Sequence, residues 1–97
     1  MATKPHLKHS EDLSALSSTF DSEFTAYSAR RHWINLFYKY FALEKDKDYI
    51  LCVDKEDTSH GEKYELNCEF ISPNGKYAFW KLLNKKAIQA EIELGLR

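Results

Sequence analysis

The sequence predicts a small α+β domain of two N-terminal helices, a three-stranded antiparallel meander and a C-terminal helix packed on one sheet face. Three observations carry that reading. A stretch from Asp21 to about Leu43 has no Gly or Pro and repeats apolar residues at helical spacing. Residues 63–71 alternate apolar and polar side chains, the pattern of a half-buried strand. Two turn signals, Thr58-Ser59-His60-Gly61 and Ser72-Pro73-Asn74-Gly75, punctuate the second half of the chain.

The elements follow in order. Residues 1–9, with Pro5 and no periodicity, read as a flexible tail before a single domain over 10–97. Ser10 followed by Glu11 and Asp12 offers a cap and a favourable first-turn charge, and Leu13, Leu16 and Phe20 suggest a first helix over 11–19. The second helix is apolar around about two thirds of its circumference, so more than one neighbour must cover it. Trp33, Ile34, Phe37 and Phe41 are its expected core residues. The charged run 44–48 reads as an exposed connection, and Tyr49-Ile50-Leu51-Cys52-Val53 as the first strand.

Pairing that strand with 63–71 in a hairpin sets Asp57 opposite Glu62, Val53 opposite Leu66, Leu51 opposite Cys68 and Tyr49 opposite Phe70. The apolar pairs Val53–Leu66, Leu51–Cys68 and Tyr49–Phe70 then share one face, which is what determines register. Cys52 lands opposite Asn67, on the other face from Cys68, so two free thiols are expected. A third strand is expected over residues 76–82, where Lys-Tyr-Ala-Phe-Trp follows Asn-Gly directly. The alternative is a helix capped by Ser72, with Pro73 at its first position. Asn84 as cap and Gly95 as stop bound the closing helix.

Composition narrows the function classes. Of 97 residues 43% are hydrophobic and 30% charged, values ordinary for a folded domain. Fourteen Lys and Arg face fifteen Asp and Glu, and neither half of the chain has a basic surplus, which disfavours a phosphate backbone as default partner. No apolar run is long enough to span a membrane or to resemble a secretory signal, so a cytoplasmic protein is expected. Fourteen aromatic residues make 14%, which is high, and Tyr and Trp are enriched where proteins grip one another.

No motif carries a chemistry, and no enzyme, cofactor or metal is expected. Cys52 and Cys68 lie in predicted strands away from His60, unsuited to a Cys–His nucleophile. His6 and His9 lack a second ligand pair, and three scattered glycines build no phosphate loop. The acids fall on loops and the wet face of a strand. Arg30-Arg31-His32 and Lys39 beside the aromatic helix suit surface ion pairs, a partner's acids or nucleic acid.

The order helix, three strands, helix, with Asn84-Lys85-Lys86-Ala87 opening the last helix, loosely resembles the double-stranded-RNA-binding domain over residues 33–95. In that family, lysines at this position hold phosphates. The glycine-rich segment before the lysines is absent here, Phe79-Trp80-Lys81-Leu82 standing in its place, and no family is assigned.

The reading that remains is a non-catalytic protein-binding module, a small adaptor, inhibitor or regulator of a larger protein, or one that self-associates. Accessory proteins of phages and mobile elements include small chains of this type, an analogy of size and composition only. Arg31, Leu36, Lys39 and Tyr40 are the expected contact residues, because Tyr40 and Leu36 sit at the margin of the apolar stripe beside a basic rim. A nucleic-acid-binding module using Arg30, Arg31, Lys85 and Lys86 is the alternative.

Overall fold

A computed structural model describes residues 7–10, 14–84 and 88–95. In chain order the elements are β1 (Leu7–Ser10), β2 (Ala15–Phe20), α1 (Glu23–Phe41), β3 (Tyr49–Thr58), β4 (Gly61–Phe70), α2 (Pro73–Leu83) and α3 (Ile88–Leu94). The strands form one antiparallel sheet in the order β1-β2-β4-β3. The connection through α1 carries the chain from β2 to β3, and β4 then inserts between them. The α+β class stands, but the first helix and the third strand of the meander do not.

The segment read as a first helix is β2. Leu16, Ser18 and Phe20 alternate with Ser17 and Thr19, and Leu16 pairs with Cys68 while Phe20 pairs with Tyr64. Leu16 and Phe20 are four apart, a spacing that fits a helical stripe and the even positions of a strand alike. The open side of β4 decides between them, since a hairpin partner occupies only one of its two edges. Leu13, Glu11 and Asp12 lie outside the described residues. Leu7–Ser10 pairs with β2, Leu7 opposite Ser18 and Ser10 opposite Ala15, so a strand replaces the expected tail at 7–9. Residues 1–6 lie outside the description.

The β3–β4 hairpin has the expected register. Tyr49 opposes Phe70, Leu51 opposes Cys68, Val53 opposes Leu66 and Asp57 opposes Glu62. Cys52 opposes Asn67, and both thiols are free, Cys52 exposed and Cys68 buried. Burial pushes both thiols above the ordinary range, Cys68 far more than Cys52, so neither is an activated nucleophile.

The expected third strand lies within α2. Both edges of β4 are already taken, by β2 and by β3, so no place beside it remains for residues 76–82. The helix instead buries Gly75, Ala78, Phe79 and Leu82, which share one face at helical spacing. Ser72 caps it, its hydroxyl accepting from the Gly75 amide at 2.9 Å, and Pro73 occupies the first turn. The likeness to the double-stranded-RNA-binding domain goes with the third strand, because no three-stranded meander lies between α1 and the last helix. Gly95, at φ +86°, follows α3 as the expected stop.

The core sits between one sheet face and the helices. Phe37 at its centre meets Tyr49 at 4.8 Å and Phe70 at 5.4 Å, both edge to face, and Phe79 reaches Phe70 at 5.5 Å. The other sheet face carries Asp54, Glu69 and Cys52, all exposed, with Asn67 donating to Asp54 at 2.7 Å. Among the described residues no helix is long and apolar enough to cross a membrane.

Candidate partner-binding face

Helix α1 advances by about 100° per residue, and that rotation sorts its aromatic residues. Ala26, Trp33, Leu36 and Phe37 are buried, with Ala29 and Tyr40 half-buried on the same stripe. Ile34 and Phe41, expected at its centre, lie on its flank and are only partly covered. Further round stand Phe24, 81% exposed, Tyr27, 46%, and Tyr38, 67%. Arg31 falls among them and is also exposed. The aromatic excess of this helix is therefore not all core: one of its sides is wet.

A second aromatic surface comes from α2, and an anchor at its start places it. The Asp48 carboxylate accepts from the Ser72 hydroxyl at 2.6 Å and from the Glu44 amide at 2.8 Å. Its backbone carbonyl accepts from the amides of Ile71 and Ser72, at 2.9 and 3.3 Å. Asp48 is only 5% exposed, and these donors offset its loss of water. One residue thus ties the α1–β3 loop to the start of α2.

Donation from Ser72, and then from the Glu44 amide, holds the Asp48 carboxyl below the ordinary carboxylate range. A depressed folded pKa makes this carboxylate stabilising above the unfolded value of about 4, and that stabilisation fades as pH falls through the lower folded value. Asp48→Asn is accordingly expected to lose stability at pH 7 and to flatten the acid limb below pH 4. Thermal melts of parent and variant from pH 7 down to pH 2 check this, and parallel acid limbs would exclude the role.

With α2 so placed, Tyr77 and Trp80 project from its outer side, 56% and 43% exposed. Their rings stack at 5.9 Å with an interplanar angle of 18°, and the Lys81 ammonium lies 4.8 Å from the Tyr77 centroid. A groove lies on either side of this ridge. The first, about 320 Å³, is lined by Tyr38, Lys39, Tyr77 and Lys81, so it joins the wet side of α1 to α2. The second, about 450 Å³, is lined by Lys76, Phe79, Trp80 and Asn84. Neither Lys76 nor Lys81 is ion-paired to a described acid.

The four expected contact residues are dispersed. Arg31 lies on the wet aromatic side of α1. Leu36, 5% exposed, is a core residue and is withdrawn from the contact set, because the fold's own elements cover the stripe it shares with Trp33 and Phe37. Lys39 is exposed, 3.9 Å from Glu93 of α3 and 5.0 Å from the Tyr40 ring centroid. Tyr40 is half-buried, and interaction between its hydroxyl and the Glu93 carboxylate raises the phenol and lowers the acid. Lys39 and Tyr40 thus mark the seam between α1 and α3, and both also line the first groove.

Sequence reasoning missed Phe24, Tyr38, Tyr77 and Trp80 as surface residues. Tyr77 and Trp80 were placed on a strand, where a spacing of three puts two side chains on opposite faces; on a helix the same spacing stacks them. Among the described residues no three His, Cys, Asp or Glu side chains are grouped to hold a metal ion. Lys85 and Lys86 lie outside the described residues. No family model matches the chain, and no curated protein or solved structure is significantly similar to it.

Proposed function

We propose that the protein is a non-catalytic binding module, a small adaptor, inhibitor or regulator that acts by occupying a surface on a larger protein. One observation carries the reading: the stacked, exposed Tyr77–Trp80 pair on α2, facing Tyr38 of α1 across a shallow groove. Exposed aromatics that already pack against each other give up little rotamer freedom on binding, which makes them good contact residues. The contact set proposed from sequence is thereby revised to Tyr38, Tyr77 and Trp80, with Arg31, Lys39 and Lys81 at the rim.

The test compares parent, Tyr77→Ala and Trp80→Ala, first in affinity capture from the native host and then against the purified partner. Affinity is expected to fall by at least about tenfold, as for an interface aromatic worth about 1.4 kcal/mol or more. The melting temperature of Tyr77→Ala should stay near the parent's, because more than half of that side chain is in solvent. Unchanged affinity in both variants would move the contact surface elsewhere.

A nucleic-acid module is the second reading, favoured by the lysines beside exposed aromatics on α2. Stacking platforms for single strands combine these two residue types. Steeply salt-dependent binding of an oligonucleotide would support it.

A further inference from the structure

The charges around the aromatic ridge are not random. Residues 72–84, which span α2 and its caps, contain Lys76 and Lys81 and no Asp or Glu, in a chain whose formal net charge is −1. Lys81 lies against Tyr77, Lys76 shares the second groove with Trp80, and Lys39 contributes to the first from α1. The exposed sheet face carries charge of the opposite sign, from Asp54 and Glu69. A formal charge near zero thus conceals a molecule with one acidic face and one basic, aromatic face.

We infer that the α2 ridge and its two grooves bind a short acidic segment of a partner protein that carries an aromatic or aliphatic anchor. This rests on the binding-module reading and adds the chemistry of the partner. The anchor packs against Tyr77 and Trp80, while its flanking carboxylates meet Lys76, Lys81 and Lys39. Lys76 and Lys81 are not held by described acids, so recruiting them breaks no described ion pair. Complementary charge of this kind sets specificity and association rate, and the buried aromatic anchor supplies affinity.

A polyanion fits less well. Nucleic acid gains affinity by neutralising many successive phosphates, which requires a long basic track. Here the basic patch is one short helix and its rim, and a strand extending beyond it meets a protein of net negative charge. A short acidic peptide ends where the patch ends.

Selection of random twelve-residue peptides displayed on phage, with the full chain as bait, tests the inference. Enriched peptides are expected to carry a surplus of Asp and Glu together with an aromatic or large aliphatic residue. The best of them, synthesised with a fluorescent label, should bind Lys81→Glu, Lys76→Glu and Trp80→Ala at least about tenfold more weakly than the parent in polarisation assays. Melting curves of the three variants verify that they fold, and the lysine variants should melt with the parent. Enriched peptides with no acidic surplus, acidic peptides indifferent to all three variants, or no enrichment at all would each overturn the inference. In the first two outcomes the binding-module reading survives with a different partner chemistry or surface. A twelve-nucleotide oligothymidine that binds more tightly than the best peptide at 150 mM salt would overturn both.

Discussion

Phe37→Ala is expected to cost about 3–5 kcal/mol of folding stability, the range for truncating a buried aromatic side chain. Phe37 is 0% exposed, and its ring meets Tyr49 and Phe70 edge to face and Trp33 at 6.1 Å. These partners come from α1, β3 and β4, so three separately anchored elements line the cavity and collapse into it is limited. Domains of this size are stable by only about 5–15 kcal/mol, so the loss is a large fraction of the whole. Urea unfolding of parent and variant measures it. A loss below about 1 kcal/mol would show that these rings do not converge on residue 37.

Gly75→Ala is expected to destabilise by about 3 kcal/mol, the upper end of the usual cost of overpacking. Two effects compete there. Ala is favoured over Gly within a helix by about 1 kcal/mol. Against that, a Cβ at position 75 would stand 2.2 Å from the Asp48 carbonyl oxygen and 3.3 Å from the Ser72 hydroxyl. That carbonyl cannot easily retreat, because it accepts from the Ile71 and Ser72 amides. The clash therefore outweighs propensity, and the start of α2 must shift. Chemical denaturation decides the sign: a gain of about 1 kcal/mol would mean that α2 does not lie against Asp48. If the aromatic ridge binds the partner, the same substitution should also weaken binding, since the anchor that orients Tyr77 and Trp80 is disturbed.

The candidate face was partly legible from the chain alone. An aromatic surplus on α1 was visible, and Phe24, Tyr27 and Tyr38 do stand in solvent. Which of its aromatics were surplus was not visible, because with so wide an apolar arc the buried centre depends on where the sheet and α3 lie. Leu36 turned inward and Tyr38 outward for that reason. Tyr77 and Trp80 were hidden by the strand assignment, so their stacking could not be anticipated.

The sequence by itself determined the elements whose signals were local and mutually consistent. The β3–β4 register followed from alternation alone, since a slip by one residue would expose the apolar set of both strands. The long helix α1 and the stop at Gly95 followed from uninterrupted periodicity and from a residue suited to positive φ. Tertiary structure decided the segments with two admissible local readings. Ala15–Phe20 is a strand because β4 had an unpaired edge, and Pro73–Leu83 is a helix because, with β2 and β3 in place, no edge of β4 was left. Backbone donors and acceptors must be satisfied somewhere, and only the assembled sheet determines where a vacancy remains.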